Sequence, residues 1–174
     1  TQSIRHPLTG LFNRRFMEEW LERELRRATR SKRSLAIIML DLDHFKGFND
    51  TFGHEAGDML LRELGGFLQG HIRGGDIACR YGGEEFTLIL PEASLEVARD
   101  RAELLRREVK HLIAQHRGQA LGAVTLSVGV AAFPEDGTTP EELLRAVDQA
   151  LYRAKTQGRD RVAVAQAPES QENR

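Results

Sequence analysis

The run Leu35-Ala36-Ile37-Ile38-Met39-Leu40 is apolar without alternation and stops at Asp41. A strand with one face in water alternates polar and apolar residues, so an unbroken run of this length fits a central strand covered on both faces. A chain built around such a strand must supply layers on both sides of its sheet, which points to an α/β architecture. The stop at Asp41 places a carboxylate at the strand terminus, where a buried sheet opens onto a polar site.

The remaining segments supply the layers. From Asn13 to about Arg30, Phe16 and Trp20 share one helical face, and Met17, Leu21, Leu25 and Ala28 lie on the face beside it, the pattern of an amphipathic helix. A short helical piece is predicted around His44 to Asn49, then a longer helix from about Glu55 to Ile72 with Met59, Leu60, Leu64, Phe67 and Leu68 inward. Two strands, about Asp76 to Tyr81 and Phe86 to Pro91, flank Gly82-Gly83-Glu84-Glu85, whose glycines give the backbone freedom of a tight hairpin. Helical spacing returns at Leu95, Ala98, Ala102, Leu105, Val109 and Leu112, and alternation at Val124, Leu126, Val128 and Val130 marks another strand. In the last helix Thr139 is the cap, Pro140 the first residue, Glu142 the capping-box partner and Gly158 the terminator. A short strand at Arg161 to Val164 closes an order that fits an α/β sandwich with a mainly antiparallel, ferredoxin-like βαββαβ sheet.

With 174 residues, 40% of them apolar, the chain is expected to form one domain over residues 1–165, followed by a polar, disordered tail at 166–174. The single cysteine, Cys79, has no partner for a disulfide, which fits a reducing, cytoplasmic setting. No window approaches the roughly 20 apolar residues of a membrane span. A net charge of −1 argues against a general binder of nucleic acid, and the arginines between Arg14 and Arg33 alternate with Glu18, Glu19, Glu22 and Glu24 as on a solvated helix face.

Triphosphate chemistry near neutral pH is mostly positioning and charge neutralisation, by Mg²⁺ on carboxylates and by cations on the outer phosphates. Asp41 at the strand end and Glu84 and Glu85 on the hairpin turn converge if the strand and hairpin are neighbours, as they can be in a ferredoxin-like sheet. Taken singly, acids on a turn are ordinarily just solvated. In Asp41-Leu42-Asp43-His44-Phe45-Lys46, backbone amides at a strand-to-helix junction suit phosphate oxygens and Lys46 adds charge, although Asp43 equally suits a helix cap. Lys155 and Arg159, four residues apart, suit a polyphosphate clamp or simple complementarity to a helix C-terminus. Asn49 and Asp58 offer an amide and a carboxylate to a guanine edge, or serve locally as turn or cap residues.

Arg80-Tyr81-Gly82-Gly83-Glu84-Glu85-Phe86 resembles the signature of the GGDEF family, the diguanylate cyclases, in its Gly-Gly-Glu-Glu-Phe form. Four further blocks agree in order and spacing: Leu8 to Arg15; Asp41 to Lys46 with Asn49-Asp50 and Gly53 to Asp58; Thr125 to Val130; and Ala150 to Lys155 with Gly158-Arg159. The resemblance implies a palm-like fold in which two GTP-loaded domains meet face to face and form cyclic di-GMP and pyrophosphate. It implies metal ligation, by Mg²⁺ or Mn²⁺, from Asp41, the Leu42 carbonyl, Glu84 and Glu85, with Glu84 or Glu85 also activating the 3′-hydroxyl. By the same resemblance the His44 and Phe45 amides, Lys46, Lys155 and Arg159 hold phosphates, Asn49 and Asp58 read guanine and so favour GTP, and Gly82 and Gly83 let the backbone approach the nucleotide.

Arg73-Gly74-Gly75-Asp76 resembles the family's Arg-x-x-Asp inhibitory site, where cyclic di-GMP arrests the enzyme, with Arg27 as candidate second arginine. The resemblance also implies a homodimer and an upstream sensory or regulatory module, so that this is the cytoplasmic domain of a larger, membrane-attached or free protein. Three positions depart from the usual pattern: His6 replaces an aspartate, Val147 an alanine and Asp160 a frequent asparagine. His6 is expected to be a plain surface residue. A domain that binds cyclic di-GMP or GTP as a sensor without turnover is the competing reading.

Overall fold

The computed structural model describes residues 4–112, 115–116 and 118–166; the expected tail after 166 lies outside them. Eight strands and five helices alternate along these residues: β1 (Phe12–Asn13), α1 (Arg14–Ser31), β2 (Leu35–Leu42), α2 (Phe45–Phe52), α3 (His54–Gln69), β3 (Ile77–Arg80), β4 (Glu85–Pro91), α4 (Leu95–Glu108), β5 (Gln115–His116), β6 (Gln119–Ala120), β7 (Leu126–Phe133), α5 (Pro140–Thr156) and β8 (Arg161–Val164). A single 3-10 turn, Val109–His111, extends α4. The main sheet has the order β1-β3-β4-β2-β7-β8. Its inner four strands are antiparallel, and β1 and β8 join the edges in parallel. The order β3-β4-β2-β7 is that of a ferredoxin-like sheet, as the sequence pattern suggests.

Every residue of β2 is buried. Ala36, Ile38, Leu40 and Leu42 pack with α3 and α4 into one core, while Leu35, Ile37 and Met39 pack with α1 and α5 into the other. The strand does not stop at Asp41: it runs to Leu42, and Asp41 pairs with Glu85 on one side and Ser127 on the other. A charged side chain is kept inside the sheet because both neighbouring strands extend as far as it does.

β7 is likewise buried throughout. Its alternation reflects unequal layers: Val124, Leu126, Val128 and Val130 fill the core on one face, and the other face carries Ser127, Gly129 and Ala131. Small residues are needed there because α5 lies close; a Cβ at Gly129 would sit 2.5 Å from the Leu151 amide nitrogen and 2.6 Å from the Val147 carbonyl oxygen.

The α1 cap is Asn13, whose side chain accepts from the Phe16 amide at 2.9 Å, and Met17, Leu21, Leu25 and Ala28 are its buried face. Its arginines meet glutamates one turn away, as in Arg14–Glu18 and Arg26–Glu22. Thr139 Oγ1 caps α5 by accepting from the Glu142 amide, but the Glu142 carboxylate accepts from the Thr138 amide at 2.9 Å, one residue earlier than a regular capping box requires. Sequence periodicity did not reveal β1 or the β5–β6 hairpin, since two-residue strands carry no period. Among the described residues, no helix is long and apolar enough to cross a membrane.

Candidate active site

The antiparallel register of β2 and β4 sets Glu85 beside Asp41. Glu84 is held by the tight turn before β4, and its carbonyl accepts from the Leu42 amide at 3.4 Å. Arg80 staples this turn: its guanidinium donates to the Gly82 carbonyl at 3.2 Å and to the Gly83 carbonyl at 2.7 Å. A third partner of Arg80 is His6, whose ring lies 2.9 Å from Nη1. His6 is thus a half-buried neighbour of the signature loop rather than the plain surface residue expected, and burial together with the Arg80 charge pushes its pKa down.

Asp41 is only 6% exposed. Lys155, near the end of α5, contacts its Oδ2, while Oδ1 is buried without a hydrogen-bond partner. Burial raises the Asp41 pKa against the opposing pull of Lys155. Burial also raises the pKa values of Glu84 and Glu85, and in each the Asp41 charge is the next contribution. Three of the residues expected at the metal therefore feel one another, as do Lys155 and the two glutamates. As the side chains stand, no group of three or more His, Cys, Asp or Glu among the described residues is placed to hold a metal ion.

Asp43 is the principal residue whose part in the site the sequence did not show. Its side chain, 1% exposed, does not cap α2. Oδ1 accepts from Ser127 Oγ at 2.6 Å, and Oδ2 accepts from Thr125 Oγ1 at 2.7 Å and from the Asp160 amide at 3.0 Å. Arg159 Nη1 stands 3.8 Å from Oδ1. Asp43 therefore ties β2 to β7 and to the loop carrying Arg159. The available signal was the pair of hydroxyls, Thr125 and Ser127, that interrupts an otherwise apolar strand.

His44 begins α2 in the left-handed conformation, with φ 58°, and no side chain caps the helix. The Phe45 and Lys46 amides thus stand at an uncapped helix start, where an anion is favoured; Lys46 is exposed. Asn49, on α2, buries an Oδ1 that has no partner. Gly57 makes room for it, since a Cβ there would be 1.7 Å from that oxygen. Asp58 is exposed on α3, and its charge reaches Arg80.

Arg73 and Asp76 lie elsewhere. A cavity of about 210 Å³ is lined by Arg27, Arg33, Gly74, Gly75, Asp76 and Glu92, among others, at the Leu35 end of β2. From Leu35 to Asp41 the strand spans about 20 Å at roughly 3.4 Å per residue, so cavity and carboxylates occupy opposite ends. Asp76 and the expected Arg27 are both on its wall, but the Arg73 side chain is not. Asp76 Oδ2 accepts from the Arg73 amide and from Arg101 Nη1, each at 2.9 Å. Arg101 was not singled out from sequence, because its helix gave no sign of facing this turn.

The sheet order, with carboxylates at one end of it, is that of a palm-type α/β fold. The chain belongs to the GGDEF family: residues 3–161 match the family described as "Diguanylate cyclase, GGDEF domain". It is 43% identical to diguanylate cyclase DgcP of Pseudomonas aeruginosa over 94% of its own length and 24% of that protein's. It is 41% identical to the response regulator PleD of Caulobacter vibrioides over 92% of its length and 36% of PleD's. The chain thus spans well under half of these relatives. Among solved structures, the GGDEF domain of DgcB from Caulobacter crescentus in complex with c-di-GMP superposes with a TM-score of 0.90 at 34% identity, covering 96% of each chain.

Proposed function

We propose that this domain joins two molecules of GTP into cyclic di-GMP, with release of two pyrophosphates, across the face between two copies of the chain. The observation that carries the reading is Asp41, a buried carboxylate with one unpartnered oxygen, in register with Glu85 and coupled to Glu84. An unsatisfied buried carboxylate oxygen is costly, and it is compensated when a cation binds. The family membership and the cyclases among its relatives support the same reading.

Asp41, the Leu42 carbonyl, Glu84 and Glu85 would hold Mg²⁺ or Mn²⁺, since carboxylate and carbonyl oxygens are the donors that hard divalent cations take. When bound, the metal supplies Lewis-acid stabilisation of charge on the phosphates. The His44 and Phe45 amides, together with Lys46, Lys155 and Arg159, hold the triphosphate. Asn49 and Asp58 address guanine, and Gly82 and Gly83 allow close approach of the backbone. Each copy presents one GTP. The 3′-oxygen of one nucleotide attacks the α-phosphorus of the other, a new P–O bond forms, and the α–β bridging bond breaks with its electron pair leaving on pyrophosphate. Glu84 or Glu85 accepts the hydroxyl proton. Repetition in the opposite sense closes the ring.

Product arrest belongs to the same proposal. Cyclic di-GMP occupies the cavity beside Asp76 and Arg27, and Arg73 reaches it only by a change of side-chain position. The domain works in the cytoplasm, governed by an upstream module, which accords with its matching only 24% and 36% of its relatives' lengths.

The test is incubation of concentrated, product-free protein, with dimerisation enforced, with GTP and Mg²⁺, alongside Glu84→Ala and Glu85→Ala. Formation of cyclic di-GMP by wild type and its loss in the variants is expected, and no product from wild type overturns the enzyme. Cyclic di-GMP binding unchanged in Arg73→Ala removes Arg73 from the product site.

A further inference from the structure

The loop from α5 to β8 carries two consecutive non-glycine residues in the left-handed region, Arg159 with φ 65° and Asp160 with φ 44°. Aspartate enters this region readily as a single residue, whereas an arginine there is held by surrounding contacts. One contact is the Asp160 amide, which donates to buried Asp43. The others come from the Asp160 carboxylate, which spans two cations of a different layer: Oδ1 accepts from Arg106 Nη1 at 2.8 Å, and Oδ2 meets Lys110 Nζ at 2.8 Å. Arg106 is itself fixed by Glu103. Burial works to raise the Asp160 pKa, and Lys110 and Arg106 outweigh it, so the carboxyl lies below its ordinary value and is ionised at neutral pH.

Asp160 is therefore held at both ends, by its backbone to the floor of the site and by its side chain to the end of α4. Arg159 immediately precedes these anchors; its guanidinium is partly exposed, 3.8 Å from Asp43, and its charge reaches Asp41 and Glu84. An asparagine here would offer one neutral oxygen and no charge to the two cations, and with that oxygen on Arg106, which Glu103 also holds, Lys110 would lose its ion pair; the aspartate serves both. We propose that Asp160, clamped by Arg106 and Lys110, is a positioning residue for the substrate triphosphate, acting through Arg159. The inference rests on the reading of Arg159 as a phosphate ligand. A side chain pre-set on a strained, anchored loop gives up less freedom when the anion arrives.

The experiment measures affinity for a non-hydrolysable GTP analogue with Mg²⁺ in wild type, Asp160→Ala, Asp160→Asn, the double variant Arg106→Gln/Lys110→Gln, and Arg159→Ala. Asp160→Ala and the double variant are each expected to weaken binding about tenfold, Asp160→Asn by less, and their combination by no more than either alone, because all act through one clamp. In turnover assays the loss appears in KM, with kcat within about threefold. Cyclic di-GMP affinity, read at the cavity at the opposite end of β2, stays at the wild-type value and reports intact folding. If Arg159→Ala weakens the analogue while Asp160→Ala and the double variant stay within twofold of wild type, the clamp is refuted and the reading of Arg159 survives. If Arg159→Ala leaves binding unchanged, the reading of Arg159 fails and the proposal with it.

Discussion

Replacing Asp43 by alanine tests whether one buried carboxylate holds the site together. Three donors converge on it at 2.6, 2.7 and 3.0 Å, from Ser127, Thr125 and the Asp160 amide. Hydrogen bonds to a charged group contribute roughly 1.5–3 kcal/mol, and a buried donor left alone keeps its desolvation cost. Ser127 is fully buried and cannot recover a bond to water. Thr125 and the Asp160 amide lie in partly buried surroundings and recover part of theirs. About 2 kcal/mol for Ser127 and about 1 for each of the others gives a loss of about 4 kcal/mol, a large share of the roughly 5–15 kcal/mol that holds a domain together. At about 2–4 °C per kcal/mol for a domain of this size, Tm falls by about 8–16 °C. Thermal and urea melts measure this, and a double-mutant cycle with Ser127→Ala should show coupling of about 1 kcal/mol or more. A Tm drop below about 3 °C, or strict additivity with Ser127→Ala, would refute the claim that Asp43 ties β2, β7 and the Arg159 loop.

Glu84→Gln and Glu85→Gln should each raise the Tm of metal-free protein by about 1–4 °C while lowering cyclase activity at least about 100-fold. The sign follows from their raised pKa values. A carboxyl that protonates more readily folded than unfolded destabilises the fold when ionised, so stability of the metal-free protein rises as pH falls from the raised value toward the ordinary 4.5, and the glutamine variants flatten that slope. Lys155→Met removes the ammonium that competes for Asp41 Oδ2; calorimetry without nucleotide should show tighter Mn²⁺ binding, while KM for GTP rises. Gly129→Ala forces a Cβ to 2.5 Å from a backbone nitrogen of α5 and should cost about 3 kcal/mol in urea melts. His6, with a pKa below its ordinary 6.5, contributes stability that is complete above that pH and lost as pH falls through the lowered value; His6→Asn should abolish the corresponding acid-side slope in Tm.

Wherever burial leaves a period, the fold was legible in the sequence. The unbroken run ending at Asp41 fixed a central strand, and Met17, Leu21, Leu25 and Ala28 fixed the inner face of α1. The glycine pair before Glu84 located the hairpin, and its pairing with β2 brought the expected carboxylates together. What remained hidden lay in contacts that have no local signature. Asp43 looks like a helix cap until Thr125 and Ser127 arrive from more than 80 residues away. Arg101 reaches Asp76 from α4, and His6 meets Arg80 across 74 residues, with neither segment marked by spacing. Polar residues inside apolar strands were the one usable clue, because a buried hydroxyl needs a partner.

The placement of the two expected sites at opposite ends of β2 limits how product could arrest synthesis. β2 is buried along its whole length and paired with β4 from Leu35–Pro91 to Asp41–Glu85, and with β7 on its other side. A ladder buried and paired on both sides resists the distortion that a ligand about 20 Å away would have to impose. Distortion carried along the strand from the cavity to Asp41 is therefore the weaker mechanism. In the proposed reaction, however, the carboxylates are half of a site that needs a second nucleotide from another copy. Product in the cavity between α1 and the Arg73–Asp76 turn can act by fixing where that copy lies, leaving Asp41, Glu84 and Glu85 unmoved. Arrest by this route would lower the population of face-to-face dimers, while GTP affinity of the single domain would be preserved.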